Sequence, residues 1–136
     1  MKRMLNWSVA LVAMFVLVNC AEKSRFEALE GDWRVVSVGE LLVSDSVDAF
    51  MGFNVAEQLV YGCTGCNHLT CALPTEANPS SPLFANMGST RMLCADMAIE
   101  DAMLPALAKV VDFKVEGDNL YFLNAEGATV ITLAKR

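Results

Sequence analysis

The pattern of apolar and polar positions predicts a domain built of short strands with a single helix. Asp32–Val38 is β-branched and aromatic and is bounded by Gly31 and Gly39, which predicts a strand. Phe53–Val55, Gln58–Tyr61, Leu69–Leu73 and Leu83–Met87 read as further strand pieces. Between them, Leu41–Gly52 carries acids at Asp45 and Asp48 and reads as a loop with a short turn of helix. Val111, Phe113 and Val115 alternate with Asp112, Lys114 and Glu116, the two-residue period of a half-buried strand. Turns at 117–119 and 124–127 then bring the chain back twice, through 120–123 and 129–133, in a three-stranded meander with Gly127 at a left-handed position.

One segment has helical period. Ile99, Met103, Leu104 and Leu107 recur at its spacing, Asp96 can cap its start, and Glu100 and Asp101 suit the positive end of its dipole. Pro105 predicts a kink or a break there. Pro74–Pro82, dense in Pro, Ser and Asn, is the strongest loop signal. There is no internal repeat, and the fold class is α+β, mostly β.

The N-terminus sets the compartment. Lys2 and Arg3 precede an apolar run from Met4 to Val18, the pattern of a secretory signal peptide and shorter than the roughly 20 apolar residues of a membrane span. Leu17-Val18-Asn19-Cys20 resembles the lipobox of bacterial lipoproteins, which implies cleavage after residue 19 and acylation of Cys20, with palmitate among the chains expected. Several acyl chains on one cysteine anchor stably. The expected organisation is a lipoprotein signal peptide over 1–19, a polar tether over 20–30 and one domain over 31–136. The outer membrane, facing the periplasm, is the expected location.

Charge narrows the partners. Without residues 1–19 the chain has 8 basic against 16 acidic residues, with no basic stripe. That balance disfavours nucleic acid and anionic headgroups. The expected partners are the membrane, through the lipid, and an unidentified protein or small apolar ligand, for a chain that is itself a monomer.

The candidate chemistry lies in Tyr61–Cys71, which holds Cys63, Cys66, His68 and Cys71, the histidine being the only one in the chain. Cys63-x-x-Cys66 with His68 has the spacing of a zinc site or a redox dithiol. Zinc would need a second close pair, yet Cys94 stands alone; a thioredoxin-like dithiol would need a helix after Cys66, yet a strand follows. Export favours disulfides instead. With Cys20 acylated, four cysteines allow three pairings. One of these sets Cys63 against Cys71 across a hairpin and lets Cys66, at its tip, reach Cys94. No metal and no cofactor is expected.

Two stretches together carry a resemblance. Gly62-Cys63-Thr64-Gly65-Cys66-Asn67 resembles the G-x-x-GCN motif of the META domain, or HslJ-like, family, and Thr90-Arg91-Met92-Leu93-Cys94 its T-R-M-x-C segment. Glu100–Leu107 is similar to the family's helix and Val115–Leu120 to its hairpin. The resemblance implies a small, strongly curved, barrel-like antiparallel sheet wrapped on one helix. It also implies that Cys66 and Cys94 are the motif pair, while Cys63 and Cys71 lie outside the motif. Gly65, Asn67, Thr90, Arg91, Met92 and Glu100 are then structural motif residues, with Arg91 able to pair with Glu100 or with turn carbonyls. No enzymatic activity defines the family, whose members are often exported lipoproteins linked to heat shock, envelope stress or antibiotic tolerance. The expected function is therefore non-enzymatic binding at the envelope. A periplasmic thiol-redox or zinc protein using Cys63, Cys66 and His68 is the alternative, and a protease-inhibitor module presenting the 74–82 loop is a second.

Overall fold

The structure, a computed structural model, describes residues 20–136; the signal peptide expected over 1–19 lies outside the described residues. A first helix, α1, covers residues 20–27. It leads into β1 (Gly31–Val38), β2 (Leu41–Leu42), β3 (Ala49–Asn54), β4 (Leu59–Thr64), β5 (His68–Ala72) and β6 (Gly88–Ser89). Helix α2 (Ala98–Leu107) follows, and β7 (Asp112–Glu116), β8 (Asn119–Leu123) and β9 (Thr129–Lys135) complete the chain. The strands form one antiparallel sheet in the order β6-β5-β4-β3-β1-β9-β8-β7, with β2 added to β1. The sheet curls strongly without closing. Between its two edges, the amide of Leu83 donates to the carbonyl of Val110 at 2.7 Å.

Strand alternation explains the curl's interior. On the inner face, Trp33 pairs with Met51, Met51 with Gly62 and Gly62 with Leu69 across four strands. The next inner row runs from Phe53 through Val60 to Cys71. Met103 and Leu107 of α2 are fully buried against this face with Phe122, Ile131 and Leu133. Phe53, Phe84 and Phe122 meet at centroid distances of 5.1–6.3 Å. On the outer face, Tyr61 lies over its cross-strand partner Gly52, where a Cβ would come within 2.1 Å of the tyrosine ring. The Tyr61 hydroxyl donates to Asp32 Oδ1 at 2.7 Å. That bond, followed by burial, raises the pKa of the phenol.

Several elements differ from the pattern-based expectation. Leu41–Gly52 contains β2 and the start of β3 rather than a helical turn. Ala49, Met51 and Phe53 alternate inward, but Asp45 and Asp48 mask the approach to that strand by pairing with Arg34 at 2.8 Å and Arg136 at 3.0 Å. Leu83–Met87 is not a strand; Leu83 and Phe84 are consecutive and both buried, filling the open seam instead of alternating. Pro105 does not break α2, which runs on through it to Leu107. Gly127 is left-handed as expected, at φ 79°.

Residues 20–30 form no loose tether, and the described residues carry two helices rather than one. Phe26 and Leu29 are buried, and the Leu29 carbonyl accepts from the Trp33 indole at 2.8 Å. Phe26 packs edge-on against Phe113 at 5.0 Å. Arg25 lies 4.5 Å over the Phe113 ring and pairs with Asp112 at 2.7 Å. Phe26 is the one buried residue of α1, and the polar residues around it obscure the helix in the sequence.

Candidate functional site

The β4–β5 hairpin turns through Gly65 and Cys66, between Thr64 and Asn67, whose backbones are joined by a 2.9 Å bond. Gly65 adopts φ 88°, a region L side chains avoid, so glycine suits this position. At the tip, Cys66 is bonded to Cys94, with Cα atoms 5.9 Å apart. The bridge draws the segment before α2 onto the hairpin.

Asn67 uses both ends of its amide. Its Oδ1 accepts from the Met92 amide at 2.6 Å and from the Thr90 hydroxyl at 2.9 Å. Its Nδ2 donates to the Met92 carbonyl at 3.1 Å and to Glu100 Oε2 at 2.9 Å. The other oxygen of Glu100 accepts from the Thr64 hydroxyl at 2.7 Å. Glu100 is buried in the first turn of α2, and no cation neutralises it among the described residues. The Thr64 hydroxyl and the Asn67 amide nonetheless hold its carboxyl below the ordinary range, against the opposing effect of burial. The helix N-terminus supplies further positive potential. The N-cap position is Met97 rather than the expected Asp96, which sits one residue earlier and accepts from the Ala98 amide at 2.9 Å.

The two motif stretches and the helix thus converge on one buried network. A model of the META domain matches residues 27–136. The chain belongs to the META domain family. No curated protein matches it. An NMR structure of a protein from Burkholderia xenovorans is similar, with a TM-score of 0.63 and 18% identity over 84% of this chain and 88% of that one. A second NMR structure has a TM-score of 0.58 and 18% identity over 80% of this chain and 92% of that one. At this identity the likeness shows the fold alone.

Not every expected site residue joins the META network. Arg91 is exposed, and no ion pair or side-chain hydrogen bond among the described residues involves it, so the expected pairing with Glu100 or turn carbonyls does not form. Glu100 is served instead by Thr64, a variable position in the motif.

The expected Cys63–Cys71 disulfide is also absent; both thiols are free and buried. The register explains this. Cys63 pairs with His68, whereas Cys71 pairs with Val60, three residues from Cys63. An odd offset puts the two side chains on opposite faces of the sheet, beyond disulfide geometry. Cys71 faces the core, where burial pushes its thiol up to about 11. His68 is exposed on the outer face and contributes only its backbone, to Thr90. With Cys66 committed to Cys94, Cys63-x-x-Cys66 is not a dithiol. No group of three or more His, Cys, Asp or Glu poised for a metal occurs among the described residues. Iodoacetamide at pH 8 is expected to spare Cys63 and Cys71 in the native protein and to label both after unfolding without reductant. Intact mass reads the difference.

A groove of about 740 Å³ lies between α1, the β3–β4 turn and the segment after β5. Phe26, Val55, Leu73 and Pro74 supply its apolar surface. Glu22, Glu27, Glu30 and Glu76 line it too, against the single ammonium of Lys23. Reading 20–30 as a tether hid this site, since Glu22, Lys23, Phe26 and Glu27 of α1 form one of its walls.

Proposed function

We propose that this META domain is held at the cell envelope by lipid on Cys20. There it acts without catalysis, binding a partner protein or a small apolar ligand under envelope stress or antibiotic exposure. The observation that carries the reading is the groove walled by α1, the helix whose first described residue is Cys20. The motif supports the non-catalytic part. Thr64, Asn67 and Glu100 are hydrogen-bonded to one another and to the 90–92 segment, which makes them a staple rather than a poised nucleophile and base. No helix among the described residues is long and apolar enough to cross a membrane.

Metabolic labelling with an alkyne fatty acid tests the anchor. The wild type is expected to take the label and to sediment with membranes, and Cys20→Ala to lose the label. A Cys20→Ala protein that labels as strongly as the wild type, or a wild type that never labels, overturns it.

A further inference from the structure

We infer that the groove beside α1 takes an amphipathic cation, a ligand with an apolar body and a protonated or quaternary amine. The inference rests on the apolar-ligand reading above and narrows it. Sites for compact organic ligands are concave and mostly apolar, of roughly 300–1,000 Å³, and this groove's 740 Å³ lies in that range. Its apolar surface would take the body of such a ligand. The four carboxylates and one ammonium lining it leave a net charge of −3.

The carboxylates are not equally available. Glu22 pairs with Arg25 at 3.3 Å, and Glu30 accepts from the Val55 amide at 2.8 Å. Glu27 has only a 4.0 Å contact with Lys23, both well exposed. Glu76 takes part in no ion pair among the described residues. Glu27 and Glu76 therefore remain to meet a cation, from α1 and from the segment after β5. The surrounding surface adds to the attraction, with 16 acidic against 8 basic residues from Cys20 onward. An acylated Cys20 would also keep the groove near the bilayer. Phe26 lies six residues on in α1, a rise of about 9 Å at about 1.5 Å per residue. Amphipathic cations concentrate at such a surface.

The probes are hexyltrimethylammonium, hexyl sulfate and hexanol. Each is titrated into isotope-labelled protein produced from the full-length chain and held in phosphatidylcholine nanodiscs, with amide NMR shifts as the readout. Hexyltrimethylammonium is expected to shift Val55, Ala56, Thr75 and Glu76, to bind at least about tenfold more tightly than hexyl sulfate, and to weaken as salt is added. The double variant Glu27→Gln/Glu76→Gln is expected to bind it about fivefold more weakly, with amide shifts outside the groove unchanged. Hexanol binding in the groove as tightly as the cation would overturn the charge requirement while leaving the apolar-ligand reading in place. Shifts absent from the groove with all three probes would overturn the site itself, and fatty-acid labelling of Cys20 would then carry the envelope reading alone.

Discussion

Asn67→Ala is expected to destabilise the domain by about 3 kcal/mol. Each hydrogen bond to a charged group contributes about 1.5–3 kcal/mol, and an abandoned buried partner costs about 1–3 kcal/mol. The substitution removes the donor to Glu100 Oε2 and both acceptor contacts that hold the 90–92 segment. Thr90 and Met92 are exposed and can turn to water, so most of the loss falls on the buried carboxylate. Urea unfolding of wild type and variant at pH 7 measures it. A change below about 0.5 kcal/mol would mean that Asn67 decorates the hairpin rather than holding it.

Glu100 gives the same network a pH signature. Its folded pKa is below the ordinary value of 4.5, so its contribution is fully present above that value and is lost as pH falls through the lower folded one. Wild-type stability should therefore decline on the acid side of 4.5. In Asn67→Ala the folded carboxyl loses one of the donors that hold it down and moves back toward its unfolded value. The acid limb should flatten accordingly. Stability measured across that window separates this from a general loss of packing, which would lower the curve without changing its slope.

How much was legible follows from which interactions are local. The β7–β9 meander shows its period openly, because its inward residues are large and its turns carry Gly117 and Gly127. The partnership of Cys66 and Cys94 was one of the pairings a hairpin allowed and the one that resemblance to the META family implied, and the structure forms it. By contrast, Thr64 and Glu100 are 36 residues apart, and no local pattern announces a hydroxyl that meets a carboxylate only after the sheet has curled. The Cys63–Cys71 expectation failed for a different reason. Spacing places two cysteines on a hairpin, but only the register, with Cys63 opposite His68, decides which face each takes. Helix α1 was hidden because it is polar by composition, with Phe26 its one buried side chain and Leu29 anchoring the turn that follows.

Opening the Cys66–Cys94 bridge should cost roughly 3–4 kcal/mol, because it closes a loop of 28 residues and so limits the unfolded chain. Domains of this size have about 5–15 kcal/mol in total, so the reduced form should unfold at markedly lower urea, with Tm down by about 10–20 °C. The bridge and Asn67 act on the same strip, since Asn67 bonds Thr90 and Met92 while Cys94 is tied two residues beyond Met92. Contacts that share a segment are not additive. Once the bridge is open, the 90–94 strip is already free to leave the hairpin, and Asn67→Ala has less left to remove. The double perturbation should fall short of the sum of the single ones by about 1 kcal/mol. Urea melts of wild type and Asn67→Ala, each oxidised and reduced, close that cycle, with Cys66→Ser/Cys94→Ser as a reductant-free check. Strict additivity would mean that the amide and the sulfurs hold separate structures. An unchanged midpoint on reduction would mean that the network of Asn67, Thr64 and Glu100 secures the segment without the bridge.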